Sequence, residues 1–374
     1  METLTTLTIN CGSSSLKASL FLADGQRINY CYRQTPDQKH GNYHAKAFEH
    51  LLEDLKTSLR IDAKSSKTHT LLIGHRFVHG GDIAEAARLI DANERSRLES
   101  ITHLAPLHMP SNLQGVDICT QAFADRFKLL QVACFDTAFH HTLSELAYRL
   151  PIPKALDYRR YGFHGLNYAN IAQQLTQHIG ATANGHVVIA HLGSGASLCL
   201  IKNLRSIDTS MGYSPAGGIP MATRSGDIDP GVMLELAKDH DYHALSELVY
   251  QKMGLLALSN GESSDMSALI ESNSAHAKFA IAFFTRQVRA TIGAYAAKVG
   301  GLDAIVFTGG IGEHSALVRA MICDHLEFMG FKLNIEKNQQ HATVLSNMDS
   351  KPILMIPADE EAEIARLAYS FSHL

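Results

Sequence analysis

Leu16, Ala18, Leu20 and Leu22 alternate with more polar neighbours, the two-residue period of a strand with one buried face. Ahead of them, Leu7 and Ile9 lead into Asn10-Cys11-Gly12-Ser13-Ser14-Ser15. The pattern predicts strand, Gly-Ser turn, strand over residues 4–22. A second copy follows far downstream: Val187 to Leu192 is strand-like, Gly193-Ser194-Gly195 is the turn, and Ala196 to Ile201 is strand-like again. Two such units in one chain suggest two related domains. Between the strands, apolar residues recur at three- and four-residue spacing over Ala45 to Leu59. They do so again over Lys278 to Val299, where Phe279, Ile281, Ala282, Val288, Ile292 and Ala296 predict a largely buried helix. A third helix is expected from near Glu313 towards Phe328. A last one is expected from Ala358-Asp359-Glu360 through Ala368, its acidic first turn matched to the helix dipole. Strands alternate with helices throughout, so the class is α/β. Pro151-Ile152-Pro153 is the best boundary, because two prolines in three residues break both helix and central strand.

Length agrees with that division, since 374 residues correspond to two domains at about 150 each. Apolar residues make up 45% and charged residues 19%, as in a soluble globular protein. The net charge of -4 argues against a nucleic-acid binder. No apolar run approaches the roughly 18 residues that span a bilayer, and the first seventeen residues lack the apolar block of a signal peptide. A cytoplasmic protein with no membrane partner is expected. The six cysteines (11, 31, 119, 134, 199 and 323) form no C-x-x-C pair, and the 21 histidines are scattered. Zinc sites and a disulfide framework are not expected; the cysteines read as small buried hydrophobes in a reducing compartment.

Three glycine-rich turns follow strand-like runs: Gly12-Ser13-Ser14-Ser15, Gly193-Ser194-Gly195 and Gly309-Gly310-Ile311-Gly312. Each alone is first a tight turn; three at strand ends point to backbone amides aimed at phosphate oxygens. Neither G-x-x-x-x-G-K-[ST] nor a complete G-x-G-x-x-G is present, so a P-loop and a dinucleotide-binding βαβ unit are excluded. Arg76 follows the apolar run Leu71 to Ile73, and Arg224 lies among small residues in Ala222 to Pro230. Both suit bidentate contact with a carboxylate or phosphate, although Asp227 and Asp229 offer Arg224 a purely structural pairing. Asp136 ends another apolar run and could cap a helix. His164 sits between Phe163 and Gly165, where a lone histidine is more often structural than catalytic.

Together these segments resemble the acetate kinase (acetokinase) family of the sugar kinase, actin and Hsp70 superfamily. The matching blocks are Asn10 to Lys17, Gly74 to Gly81, Leu104 to His108, Phe135 to His140, Arg159 to Gly165, Asp208 to Gly212, Thr223 to Pro230, Ile305 to Glu313, and Glu360-Glu361. They occur in family order over nearly the whole chain. The resemblance implies a two-domain actin-like ATPase (ribonuclease H-like) fold with a duplicated core and an interdomain cleft. The domains would be 1–150 and 151–359, with the last helix (360–374) packed back on the first. It implies transfer of a phosphoryl group from ATP to acetate, giving acetyl phosphate and ADP, with Mg²⁺ (or Mn²⁺), in a homodimer. By the same resemblance Asn10 and Glu360 are the magnesium-associated pair. Arg76, Arg224, Asp136 and His164 are the catalytic set, the two guanidiniums meeting in the crevice. Val78, Leu107, Phe163 and Pro215, with Arg76, surround the acid. Lys17, Gly193, Ser194, Gly195, Asp265, Gly310, Ile311 and Gly312 lie on the nucleotide side.

Four positions depart from the family pattern. Ser194 replaces an Asn, Met109 another Asn, Ala216-Gly217 a Leu-Glu, and Ser267 an Arg of the adenosine side. Ser267 and Ser194 leave the phosphoryl donor open. Gly217 and Gly218 leave room for propionate, whose extra methylene is worth only about 1–3 kcal/mol. A catalytically weak paralogue that binds nucleotide is the reading from a different class.

Overall fold

The computed structural model describes residues 4–12, 15–33, 40–59 and 69–374, with the side chains of the first helix described from 45 onward. Contacts divide the chain into two compact units. One comprises Met1–Phe139 with Asp359–Leu374, the other His140–Ala358. His140 already belongs with the second unit because its ring bonds Ser206 Oγ at 2.8 Å and the Phe163 carbonyl at 3.0 Å. Pro151-Ile152-Pro153 lies inside that unit, where Pro153 precedes a single 3₁₀ turn at Lys154–Leu156.

The first unit contains β1 (Thr5–Cys11), β2 (Ser15–Phe21), β3 (Arg27–Arg33), β4 (Thr70–Phe77), β5 (Ala87–Leu89) and β6 (Lys128–Phe135), in sheet order β3-β2-β1-β4-β6-β5. β1, β2 and β3 pair antiparallel, β1, β4 and β6 run parallel, and β5 is an antiparallel edge. The second unit contains β7 (Val187–Leu192), β8 (Ala196–Lys202), β9 (Arg205–Thr209), β10 (Ala304–Thr308) and β11 (Ile353–Met355), in order β11-β10-β7-β8-β9. Here β7, β8 and β9 are antiparallel and β7, β10 and β11 parallel. Apart from β5, the two sheets follow one plan, a three-strand meander whose first strand continues into two parallel strands. The duplicated strand–turn–strand pattern in the sequence is the visible part of that plan. β1 and β7 are buried along nearly their whole length, as expected of central strands covered on both faces. Ser13 and Ser14 of the first turn lie outside the described residues.

In the first unit, Leu7, Ile9, Leu16 and Leu20 of the sheet form a core with Phe48, Leu51 and Leu55 of α1 (His40–Ser58) and with Cys119 and Phe123 of α2 (Met109–Phe123). The second unit has α3 (Gly165–Ile179), α4 (Pro230–Asp239), α5 (Tyr242–Gln251) and α6 (Ala275–Val299). α6 buries Phe284, Val288, Ile292 and Tyr295, and the Tyr295 hydroxyl donates to the β8 carbonyl of Leu198 at 3.3 Å. Ser274 caps its start and Gly300, at φ 76°, its end, so it begins one turn before Lys278.

The helix expected from Glu313 to Phe328 is instead two. α7 (Gly309–His314) ends at Ser315, whose side chain accepts from the Val318 amide and starts α8 (Ala316–Cys323). A serine in extended conformation stops one helix and caps the next. Residues Glu327–Met329 form a separate 3₁₀ turn. The final helix, α9 (Glu360–Tyr369), is capped by Asp359, which accepts from Ala362 N at 3.0 Å. It lies on β4 so closely that a Cβ at Gly74 would come within 2.5 Å of Ile364. The cysteines are free thiols; Cys31 is exposed and the other five are buried. Among the described residues no helix is long and apolar enough to cross a membrane.

Candidate active site

In the first unit the parallel strands β1, β4 and β6 bring their carboxyl ends to one edge, where open α/β sheets bind ligands. Asn10 is near the end of β1, Arg76 near the end of β4, and Asp136 directly after β6. The start of α9 brings Glu360 and Glu361 to the same place. Asn10 Nδ2 donates to Glu360 Oε2 at 2.7 Å and to Glu361 Oε1 at 2.9 Å. Arg76 donates through Nη1 to Asn10 Oδ1 at 3.1 Å and through Nη2 to Asp136 Oδ2 at 2.7 Å. Its Nη1 also lies 3.8 Å from Glu360. Burial opposes the Arg76 charge, but the carboxylates of Asp136, Glu360 and Glu361 outweigh it and hold the guanidinium above its usual pKa. Arg76 is thus a fixed, permanently charged cation. Asp136 is the tightest carboxylate partner of that cation.

Beside this group, the Val78 amide donates to Asn112 Oδ1 at 3.2 Å and the Gly80 amide to Thr137 Oγ1 at 3.1 Å. Val78 is buried and Leu107 is half exposed. Lys17 is exposed on β2, opposite Asn10 in the strand register.

The second unit assembles another group. His164, in left-handed conformation at φ 59°, precedes α3. Its Nδ1 bonds Ser197 Oγ at 2.9 Å, and its ring stacks on His191 with centroids 4.1 Å apart. Gly195 permits a close approach: a Cβ there would lie 3.2 Å from His164 Nε2 and 3.8 Å from Arg224 Nη1. His164, Arg224 and the Gly193–Gly195 turn therefore border one small space. Arg224 Nη1 donates to the carbonyl of Pro215, a buried residue, at 2.9 Å. The Ala222 amide donates to the Ser194 carbonyl at 3.1 Å, tying the Arg224 loop to the glycine turn. The acidic neighbours of Arg224 have local duties. Asp227 accepts from the Gly218 amide and Asp229 caps α4.

The third glycine turn opens α7. Gly309, at φ 77°, packs on the backbone of Leu192, where a Cβ would meet its carbonyl oxygen at 2.8 Å, so only glycine suits the position. A Cβ at Gly193 would lie 4.0 Å from Gly310 N, so the two glycine turns adjoin. Gly310 faces open space and Gly312 packs against Phe307. Ile311 lies between them in α7. Asp265 caps the short helix Met266–Glu271, accepting from the amides of Ser267 and Ala268 and from the Ser267 hydroxyl. Phe163 is buried in this unit.

Glu361, Ser197, Tyr168 and His191 were not singled out from the sequence. Strand register holds the signal for two of them, because His191 and Ser197 are directly opposed on β7 and β8.

A model of the acetokinase family matches residues 5–366. The chain belongs to that family. It is 38% identical to the acetate kinase of Nitrobacter hamburgensis over 96% of this chain and 94% of that one. It is 37% identical to the propionate kinase PduW of Salmonella typhimurium over 96% and 95%. The crystal structure of a propionate kinase from Francisella tularensis superposes with a TM-score of 0.84 at 30% identity, covering 98% of this chain and 99% of that one. The α/β class with a duplicated core, expected from the sequence, is the actin-like ATPase fold of these acetokinases.

Proposed function

We propose that this acetokinase is a short-chain carboxylate kinase that transfers the γ-phosphoryl group of ATP to acetate, giving acetyl phosphate and ADP. The observation that carries the reading is the charged, carboxylate-held Arg76 at the strand ends. A carboxylate is already a nucleophile at neutral pH and needs no general base. The barrier is electrostatic, since one anion must approach another, and catalysis consists of in-line positioning and charge neutralisation. A carboxylate oxygen forms the new bond to the γ-phosphorus as the bond to the β–γ bridging oxygen breaks, and ADP leaves.

Arg76 and Arg224 bind the acid and the transferring group, Asp136 fixes Arg76, and His164 donates from Nε2 to a phosphoryl oxygen. The Gly193–Gly195 and Gly310–Gly312 backbones hold the nucleotide phosphates, with Lys17 and Asp265 on the nucleotide side. Val78, Leu107, Phe163 and Pro215 surround the alkyl group. Asn10, Asp136, Glu360 and Glu361 offer hard oxygen donors, the chemistry that suits Mg²⁺ or Mn²⁺. Among the described residues no cluster of three or more His, Cys, Asp or Glu forms a cage. Asn10 and Glu360 would form the protein side of such an ion. When bound, the ion neutralises phosphate charge.

A homodimer in the cytoplasm is part of the proposal. α4 and α5 are amphipathic yet bury no residue. Val232, Leu234 and Tyr242 on them are 45%, 69% and 82% exposed, a surface suited to a second copy.

Propionate is the second substrate reading, favoured by the likeness to propionate kinases and by Gly217 and Gly218 near Pro215. A hydroxamate assay for acyl phosphate, run with Mg²⁺ over acetate, propionate and butyrate and over ATP, GTP and pyrophosphate, tests the proposal. Product from acetate or propionate with ATP is expected. No product from any acid with any donor refutes it and favours a nucleotide-binding protein without this activity.

A further inference from the structure

A guanidinium serves a transferring phosphoryl group only if the backbone that carries it is fixed, because a displacement of about 1 Å costs on the order of 10²-fold in rate. The loop from Met221 to Arg224 is clasped by residues 250–256. The Met253 amide donates to the Thr223 carbonyl at 3.0 Å, the Leu255 amide to the Met221 carbonyl at 2.8 Å, and the Leu256 amide to the Ala222 carbonyl at 3.1 Å. The Met221 amide closes the loop on the Arg224 carbonyl at 2.9 Å. In return, Thr223 Oγ1 donates to the Tyr250 carbonyl at 2.8 Å. That carbonyl belongs to the last turn of α5, where a helix leaves its own acceptors unsatisfied.

The clasp turns at Gly254, a buried residue at φ 65° that opens the five-residue helix Gly254–Leu258. A Cβ there would run into the Met221 carbonyl oxygen. It would also lie 2.6 Å from the Arg224 carbonyl oxygen and 2.9 Å from the Arg224 amide nitrogen. Only glycine lets the two backbones meet so closely at that φ. On the other side of the loop, the Ala222 amide on the Ser194 carbonyl sets it against the Gly193–Gly195 turn. Arg224 Nη1 then reaches the Pro215 carbonyl at 2.9 Å and Met221 Sδ at 3.7 Å. Met221 is itself fully buried and is held by the clasp through its carbonyl.

We infer that Thr223 and Gly254 are positioning residues for Arg224: the clasp they lock sets the loop that carries the guanidinium to the space beside Gly195 and His164. Thr223 locks it through a side-chain hydrogen bond, and Gly254 by leaving out a side chain. The consequence for turnover rests on the proposed function; the clasp itself does not.

The test combines amide hydrogen exchange of the full chain, read by mass spectrometry, with steady-state kinetics. Thr223→Val keeps the shape of the side chain and removes the donor. It should speed exchange over residues 253–256 by about fivefold to tenfold, the scale of one hydrogen bond, and leave exchange in α6 unchanged. It should lower kcat by about tenfold with KM for the nucleotide within about twofold of wild type. Thr223→Ser, which keeps the hydroxyl, should restore both readouts. Gly254→Ala, where it folds, should lower kcat at least about 10²-fold. In an Arg224→Ala background, Thr223→Val should change kcat by less than about twofold, whereas a general loosening of the fold would cost as much there as in wild type. Wild-type exchange in Thr223→Val, an undiminished kcat loss in the Arg224→Ala background, or a folded Gly254→Ala protein with wild-type kcat overturns the inference. If Arg224→Ala itself keeps full kcat, the catalytic role of Arg224 falls, and the exchange rates alone decide the clasp.

Discussion

Replacing Arg76 by alanine removes the cation around which the first unit's polar group is built. The side chains of Arg76 and Asp136 are only 13% and 1% exposed, and their ion pair is 2.7 Å long. Glu360, 13% exposed, stands 3.8 Å from the same guanidinium. Loss of one member of a buried pair costs about 3–5 kcal/mol, because the remaining charge stays desolvated. For a unit of this size that corresponds to a fall in Tm of roughly 6–20 °C. Calorimetry of Arg76→Ala checks the figure. The double variant Arg76→Met with Asp136→Leu removes both charges of that pair and should recover part of the loss, the remainder being the Glu360 carboxylate that still lacks its cation. Both variants should be inactive. A single variant melting within about 2 °C of wild type would refute the reasoning, as would a double variant whose loss equals the sum of the two single losses.

Gly310→Ala introduces a methyl into open space within α7. It should leave stability unchanged or raise it by up to about 1 kcal/mol while raising KM for the nucleotide at least tenfold; an unchanged KM argues against a phosphate there. Asp359 both caps α9 and pairs with Arg27 at 2.5 Å and 2.8 Å. Asp359→Ala should therefore cost about 1–2 kcal/mol in denaturant unfolding, most of it from the cap because the ion pair is partly exposed. Burial lowers the pKa of His75, His79 and His140 to about 4, 3 and 4 from 6.5. Between those values the unfolded chain binds more protons than the folded one. Stability is therefore full above pH 6.5 and falls as pH drops towards 4, by up to about 1.4 kcal/mol per pH unit for each histidine. Unfolding midpoints across pH 4–7 measure the slope, and His75→Gln should make it shallower.

The strand–turn–strand repeat was legible because central strands and tight turns leave local signals: apolar runs bounded by Gly and Ser. Helix limits were legible where a cap is local, as with Asp359, and were missed where a single serine, Ser315, divides a continuous apolar pattern. The cluster around Arg76 is different in kind. Asn10, Arg76, Asp136 and Glu360 are far apart in sequence and meet because three parallel strands end at one edge and the last helix returns to it. Spacing along the chain holds no record of that meeting, and the family resemblance supplied it. Glu361 was passed over because a dipeptide of like charges does not reveal which carboxylate faces Asn10; both do. Arg319 illustrates the same limit. It lies within the apolar run of α8 and is fully buried, with its guanidinium donating to the carbonyls of Gly312 and Glu313 and to Asn338. Nothing local marks it as a brace for the end of α7.

The most direct measurement of the central claim is kcat for acyl phosphate formation by Arg224→Ala, beside a melting curve of the same preparation. Arg224 donates to the Pro215 carbonyl at 2.9 Å, and the melting curve reports whether the fold survives its loss. Turnover should fall by at least about 10²–10³, the effect of deleting one donor that meets charge in the transition state. A folded Arg224→Ala protein turning over at the wild-type rate would contradict the account.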